Sequence, residues 1–215
     1  MSMDNETPLL KKQRETKTPS SICAIGDVHG HLQLGLCMAA RWQVELGLAF
    51  DAVLLCGDVG TFTDDSQLDN ATRRHARSNP CELEFLLQWA ARPQPEWLQK
   101  IFQPVESGGL GLQCPVVMVH GNHEGFIDLE PWAAQPIPKH PLEMSALPAI
   151  DTGQRIRYLP SGWKCRTPSG LIVAGIGGIE REQRHAKYHA LAYLNERAIL
   201  HLAEGTQVDI LITHQ

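Results

Sequence analysis

The chain has 215 residues, of which 43% are hydrophobic and 20% charged, the balance of one ordinary globular domain. Lys and Arg number 19 against 24 Asp and Glu, a net charge of −5, which excludes any global electrostatic pull toward nucleic acid or an anionic membrane and leaves only a local basic patch for such a role. No stretch reaches the roughly 18 apolar residues of a membrane span, and the N-terminus lacks the apolar core of a signal peptide, so a cytoplasmic location without membrane attachment is expected.

Residues 1–21 are polar and aperiodic and read as a disordered tail, with residues 22–215 as one domain. Short apolar runs then recur: SICAIGDVHG, DAVLLCGDVG, PVVMVHGNHE, GLIVAGIGG and VDILITH. Rich in Val, Ile and Leu and too short for helices, they read as buried strands. A helix is expected over His31 to Leu48. Two more are expected from Leu83, Leu86, Leu87 and Ala90, and from Leu191, Leu194, Ala198 and Leu202, both at helical spacing. Asp64 to Pro80 reads as an insert or exposed helix, and residues 103–114 and the Pro-rich 131–148 as loops. Alternating strands and helices imply an α/β fold. The six cysteines are scattered without a CxxC pair, which argues against disulfides and a Cys-based zinc site.

Four of the runs end in metal-ligand residue types: Asp27 and His29, Asp58, Asn122 with His123, and His214. In an open α/β sheet ligands bind beyond the carboxyl ends of the strands, so residues distant in sequence can surround one site there. Carboxylate oxygen and imidazole nitrogen suit hard or borderline divalent cations, and one Asp can bridge two of them. Asp58 is the natural bridge, Asp27 and His29 can reach one metal, and Asn122 and His214 the other.

The order Asp27-x-His29, Gly57-Asp58, Gly121-Asn122-His123-Glu124 and Thr213-His214 resembles the calcineurin-like metallophosphoesterases, whose motifs run DxH, GDxxD, GNH(D/E), a lone His and GHxH. The resemblance implies two packed mixed β-sheets flanked by helices, a metallophosphoesterase-type α/β sandwich. It also implies a two-metal site and hydrolysis of phosphomonoesters or phosphodiesters by a bridging hydroxide. Asp27 and His29 would hold the first metal, Asp58 both, and Asn122 and His214 the second. His123 would protonate the leaving group, and Asn122 would help seat the phosphate. The ligand types admit manganese, the first expectation, as well as iron or zinc.

Two departures stand out. Thr61 occupies the place of the second Asp of GDxxD, with Asp64 and Asp65 as candidates to orient His123 instead. No GHxH occurs, so the fold is expected to lack its C-terminal part and each metal one ligand. IGDVHGH and GNHE resemble the protein phosphatase and dinucleotide tetraphosphatase branch, whereas GIGGIERE resembles the lariat-debranching branch, which would make a 2′,5′-phosphodiester a substrate and Arg73, Arg74, Arg77, Arg181 and Arg184 phosphate contacts. A non-catalytic scaffold for protein binding is the alternative from another class. His75, His140, His185, His189 and His201 read as surface or helix-face residues, His31 as helix solvation or a substrate contact, and His120 as core or a support for the ligands. Glu124 reads as a cap of the following helix. Trp42, Trp89 and Trp97 suit helix packing, and Trp132 or Trp163 could line the cleft.

Overall fold

A computed structural model describes residues 21–181, 189–205 and 207–214. The expected N-terminal tail, except Ser21, and with it Arg184 and His185, lie outside the described residues. Two four-stranded sheets face each other. The first is β1 (Ser21–Ile25), β2 (Phe50–Cys56), β3 (Val116–Val119) and β5 (Ile156–Tyr158), in that spatial order and all parallel. The second runs β4 (Leu142–Glu143), β6 (Lys164–Arg166), β7 (Ile172–Ile176) and β8 (Ile210–Thr213), and only the β6–β7 step is antiparallel. The expectation of two mixed sheets is therefore corrected for the first. Its strands are separated by long connections that cross over and return, whereas β6 and β7 are joined by a short turn that reverses the chain.

Near-continuous Val, Ile and Leu make β2 and β3 apolar on both faces, and each face has its own core. On the outer face α1 (Leu32–Leu46) and α3 (Glu96–Phe102) bury Leu32, Leu36, Leu98 and Ile101 against Val53, Leu55 and Met118. Between the sheets, Leu54, Val117 and Val119 meet Leu159, Trp163, Val173 and Ile212. Among the described residues no helix is long and apolar enough to cross a membrane.

The α1 expectation holds, ended at Gly47 in a left-handed cap. The periodic leucines of residues 83–90 mislead: a short 3₁₀ turn leads into a π-helical turn that buries Phe85 and Trp89 and leaves Leu87 exposed. The buried Glu84 carboxylate accepts from Trp89 Nε1 at 3.0 Å and from the Gln33 amide at 2.6 Å, tying this turn to α1 by polar contacts that apolar spacing does not encode. The later helix starts only at α5 (Glu196–Ala203), where Asn195 caps the Arg197 and Ala198 amides and leaves Leu191 and Leu194 outside. The stretch read as a loop from 131 begins inside α4 (Phe126–Ala133), with Pro131 in its last turn. Asp64 to Pro80 contains the short α2 (Asn70–His75), capped by Asp69. Of the tryptophans, Trp89 is buried, Trp42 is 44% exposed on α1, and Trp163 fills the inter-sheet core instead of a cleft.

Candidate metal centre

Because β1, β2 and β3 are parallel, their carboxyl ends share one rim, and β8, at the edge of the facing sheet, delivers His214 to the same place. Asp27, Asp58 and His214 each offer a ligand atom, all within 4.8 Å of one another. His29 stands to one side, Nε2 3.6 Å from Asp58 Oδ2, its ring 5.7 Å from that of His123. Asn122 Oδ1 lies 3.4 Å from His214 Nε2. Every residue expected to hold metal is thus at this rim, Asp58 and His214 buried and the Asp27 side chain 62% exposed.

The backbone makes the convergence possible. Asp27, His29 and Asp58 have φ of 45°, 40° and 48°, in the left-handed region that L residues visit rarely, and strain of this kind collects at functional sites. Gly57 has φ 91°, and a Cβ there would stand 2.6 Å from the His214 ring, so only glycine lets β2 end against this imidazole.

The donor set fits a cation. His214 Nδ1 lies 3.0 Å from the Cys56 carbonyl oxygen and 3.2 Å from Asp27 Oδ1, both acceptors, so the neutral imidazole carries its proton there. Its Nε2 lone pair then faces Asn122 Oδ1 and Asp58 Oδ1, the latter 3.5 Å away. Asp58 Oδ1, Asn122 Oδ1 and the His214 ring nitrogen thus converge, and a backbone carbonyl orienting the far nitrogen is the usual support of a ligating histidine. Asp58 Oδ1 also accepts from the Asn122 and His123 amides at 2.8 and 2.9 Å, which fixes the carboxylate and joins the second motif to the third.

His123 Nδ1 pairs with Asp69 Oδ2 at 2.8 Å. Asp69 is the residue that sequence reasoning missed: Asp64 instead accepts from the Ser66 amide in an exposed turn, and Asp65 begins the 3₁₀ turn there. Burial alone would raise the Asp69 carboxyl, but hydrogen bonds from His123 and Thr72 outweigh it and bring its pKa to about 2. The Asp69 bond raises the His123 pKa against the opposing effect of burial, with Asp58, Asp69 and Glu124 adding attraction.

Glu124 is not a helix cap. Its carboxylate is buried and accepts from the Val59, Gly60, Thr61 and Gly121 amides and from the Thr61 hydroxyl, at 2.8 to 3.3 Å. Burial nevertheless pushes the Glu124 carboxyl above its ordinary range. Thr61 explains its own departure from GDxxD: an Asp at this buried position would set a second carboxylate against Glu124, where the hydroxyl donates. His120, as expected, is core. It is 2% exposed, its Nδ1 lies 2.8 Å from the Tyr158 hydroxyl, and burial lowers its pKa to about 4.

A model of the calcineurin-like phosphoesterase domain matches residues 20–215. The chain belongs to the calcineurin-like phosphoesterases. A comparison with curated proteins finds no match. Membership of this phosphoesterase family makes metal-dependent hydrolysis of phosphoesters the general chemistry, and among the described residues Asp27, Asp58 and His214 form a group whose ligand atoms could hold a divalent metal.

Proposed function

We propose that this calcineurin-like phosphoesterase hydrolyses phosphomonoesters or phosphodiesters with two divalent cations, manganese first among them. Asp27, His29 and Asp58 would hold one cation, and Asp58, Asn122 and His214 the other. When bound, such a pair supplies an acidified water as nucleophile and neutralises charge on the phosphoryl group. The observation that supports this reading is the convergence of Asp27, Asp58 and His214, whose ligand atoms lie within 4.8 Å of one another, with Asn122 Oδ1 3.4 Å from His214 Nε2.

The protein's own groups do the rest. His123 gives a proton to the departing oxygen, and Asp69 fixes its ring through Nδ1. The raised pKa keeps more of the imidazole protonated at neutral pH, which suits an acid. The Asn122 side chain helps seat the phosphate, and the Glu124 network holds Asp58 and Asn122 at a fixed separation before substrate arrives.

The test is hydrolysis of nitrophenyl phosphate and bis-nitrophenyl phosphate with added manganese, beside Asp58→Asn. Activity lost in the variant supports the reading, and the ratio of the two rates separates monoesterase from diesterase. Equal rates in both proteins refute it.

A further inference from the structure

A cavity of about 340 Å³ opens beside His123, bounded by the Asp27–His29 loop on one side and by α2 and the segment after it on the other. That is the low end of the range for small-molecule pockets, roughly 300 to 1,000 Å³. Its polar lining away from the metal centre is His31, Thr72, His75, Asn79 and Glu82. We propose that this cavity receives the leaving group of the substrate and is built for a compact, uncharged, polyhydroxylated alcohol, making sugar or polyol phosphates the substrate class. The inference rests on the phosphoesterase reading above.

Position comes first. An acid must stand within hydrogen-bond reach of the oxygen it protonates, so the leaving group lies on the His123 side, and this cavity shares that side chain. Its chemistry then narrows the occupant. The described lining contains no Lys or Arg but does contain the Glu82 carboxylate, which repels a second phosphate or an acidic peptide. It contains no Phe, Tyr or Trp, so the rings a nucleobase meets there are the smaller imidazoles. What remains is a mix of donors and acceptors. Asn79 Nδ2 lies 3.0 Å from His31 Nε2, and since an amide nitrogen only donates, His31 must accept there and carry its proton on Nδ1. An imidazole, an amide and a carboxylate around one small space match hydroxyl groups, each of which donates and accepts.

The wall is also rigid. Gly30, directly after the first motif, has φ 79°, and a Cβ on it would stand 2.7 Å from the Cys81 carbonyl carbon and 2.8 Å from Glu82 Cα. The backbone that carries Glu82 therefore rests against the loop that carries Asp27 and His29, and Thr72 is fixed to Asp69 through its amide and hydroxyl.

The experiment compares kcat/KM of the manganese-loaded full chain for glucose 6-phosphate, fructose 1,6-bisphosphate, AMP, a phosphoserine peptide and nitrophenyl phosphate. Glucose 6-phosphate should exceed the bisphosphate, AMP and the peptide by about tenfold, the discrimination expected when the half-buried polar groups of the lining are matched or left unpaired. Glu82→Gln should shrink the margin over the bisphosphate, and Asn79→Ala should lower the ratio of glucose 6-phosphate to nitrophenyl phosphate by about tenfold. Calorimetric binding of a non-hydrolysable phosphonate of glucose 6-phosphate gives a second readout, expected to weaken in both variants. Preference for AMP or the peptide would overturn the inference in favour of a nucleotide or protein substrate. If neither nitrophenyl phosphate nor bis-nitrophenyl phosphate is hydrolysed, the phosphoesterase reading fails; hydrolysis of the diester alone overturns the sugar-phosphate class, and phosphonate binding unchanged by Glu82→Gln and Asn79→Ala overturns the subsite separately.

Discussion

Glu124→Gln changes one atom of a side chain whose carboxylate accepts five hydrogen bonds and donates none. In the wild-type protein Oε2 accepts from the Gly60 and Thr61 amides and the Thr61 hydroxyl, while Oε1 accepts from the Val59 amide at 2.9 Å and the Gly121 amide at 3.3 Å. The glutamine keeps the first three by placing its oxygen there, and its NH₂ then faces the Val59 and Gly121 N–H groups. Each buried donor left without an acceptor costs about 1 to 3 kcal/mol, so the two cost roughly 2 to 6. Relief of the buried charge, which already raises the Glu124 pKa, offsets part of this, and a net loss of about 2 to 4 kcal/mol is expected. For a chain of this size that lowers Tm by roughly 5 to 15 °C. Urea unfolding and thermal melting measure it, with the exposed Glu106→Gln as control. Manganese affinity, read by calorimetry, should fall with it, because one released amide, Val59, directly follows Asp58 and the other, Gly121, directly precedes Asn122. A stability change under about 0.5 kcal/mol, the size of an ordinary surface substitution, would refute the argument that the network is an acceptor bound by necessity.

Asp69→Asn removes the main cause of the raised His123 pKa, so the alkaline limb of kcat for an alkyl phosphate should move to lower pH; an unmoved limb would separate Asp69 from the acid. His120, with a pKa near 4 when folded and about 6.5 when unfolded, binds its proton more readily in the unfolded chain. Its contribution is therefore intact above about pH 6.5 and is lost as the pH falls toward 4, amounting to about 2 kcal/mol at pH 5. His120→Gln should flatten the acid side of the stability profile by that amount, and an identical slope in both proteins would contradict the assignment. Gly57→Ala should cost about 1 to 2 kcal/mol for its left-handed backbone, displace the His214 ring 2.6 Å from the new Cβ, and weaken manganese binding. Calorimetry showing wild-type affinity would mean that His214 does not hold metal.

The residues easiest to find in the sequence were those whose place follows from local context. Asp27, Asp58, Asn122 and His214 each come directly after an apolar run; the parallel strands β1, β2 and β3 must bring the first three to one rim, and the facing sheet brings His214 to it. Asp69 carries no such signal. It sits in a polar segment without periodicity, and its pairing with His123 depends on where a short helix returns the chain, a nonlocal fact. Glu124 was visible as part of a motif, but its role was not, because the donors it meets are backbone amides, which every sequence has. The leucines of residues 83–90 had helical spacing, yet the buried pair is Phe85 and Trp89, selected by the Glu84 bonds to Trp89 and to α1.

His214 and Asp58 belong to different sheets, and what sets the gap between them is the layer of side chains in the middle: Leu54, Val117 and Val119 against Trp163, Val173 and Ile212. That layer is a spacer as well as a core. Each side chain in it helps determine the thickness of the sandwich, and with it the aperture in which a cation must be held. A methyl group added at Ala52, which is fully buried in this layer, touches no ligand, yet it would prise the two halves of the metal centre apart. On the proposed two-cation reading, ion affinity is a gauge of how closely two hydrophobic surfaces fit, set by residues that never meet metal or substrate.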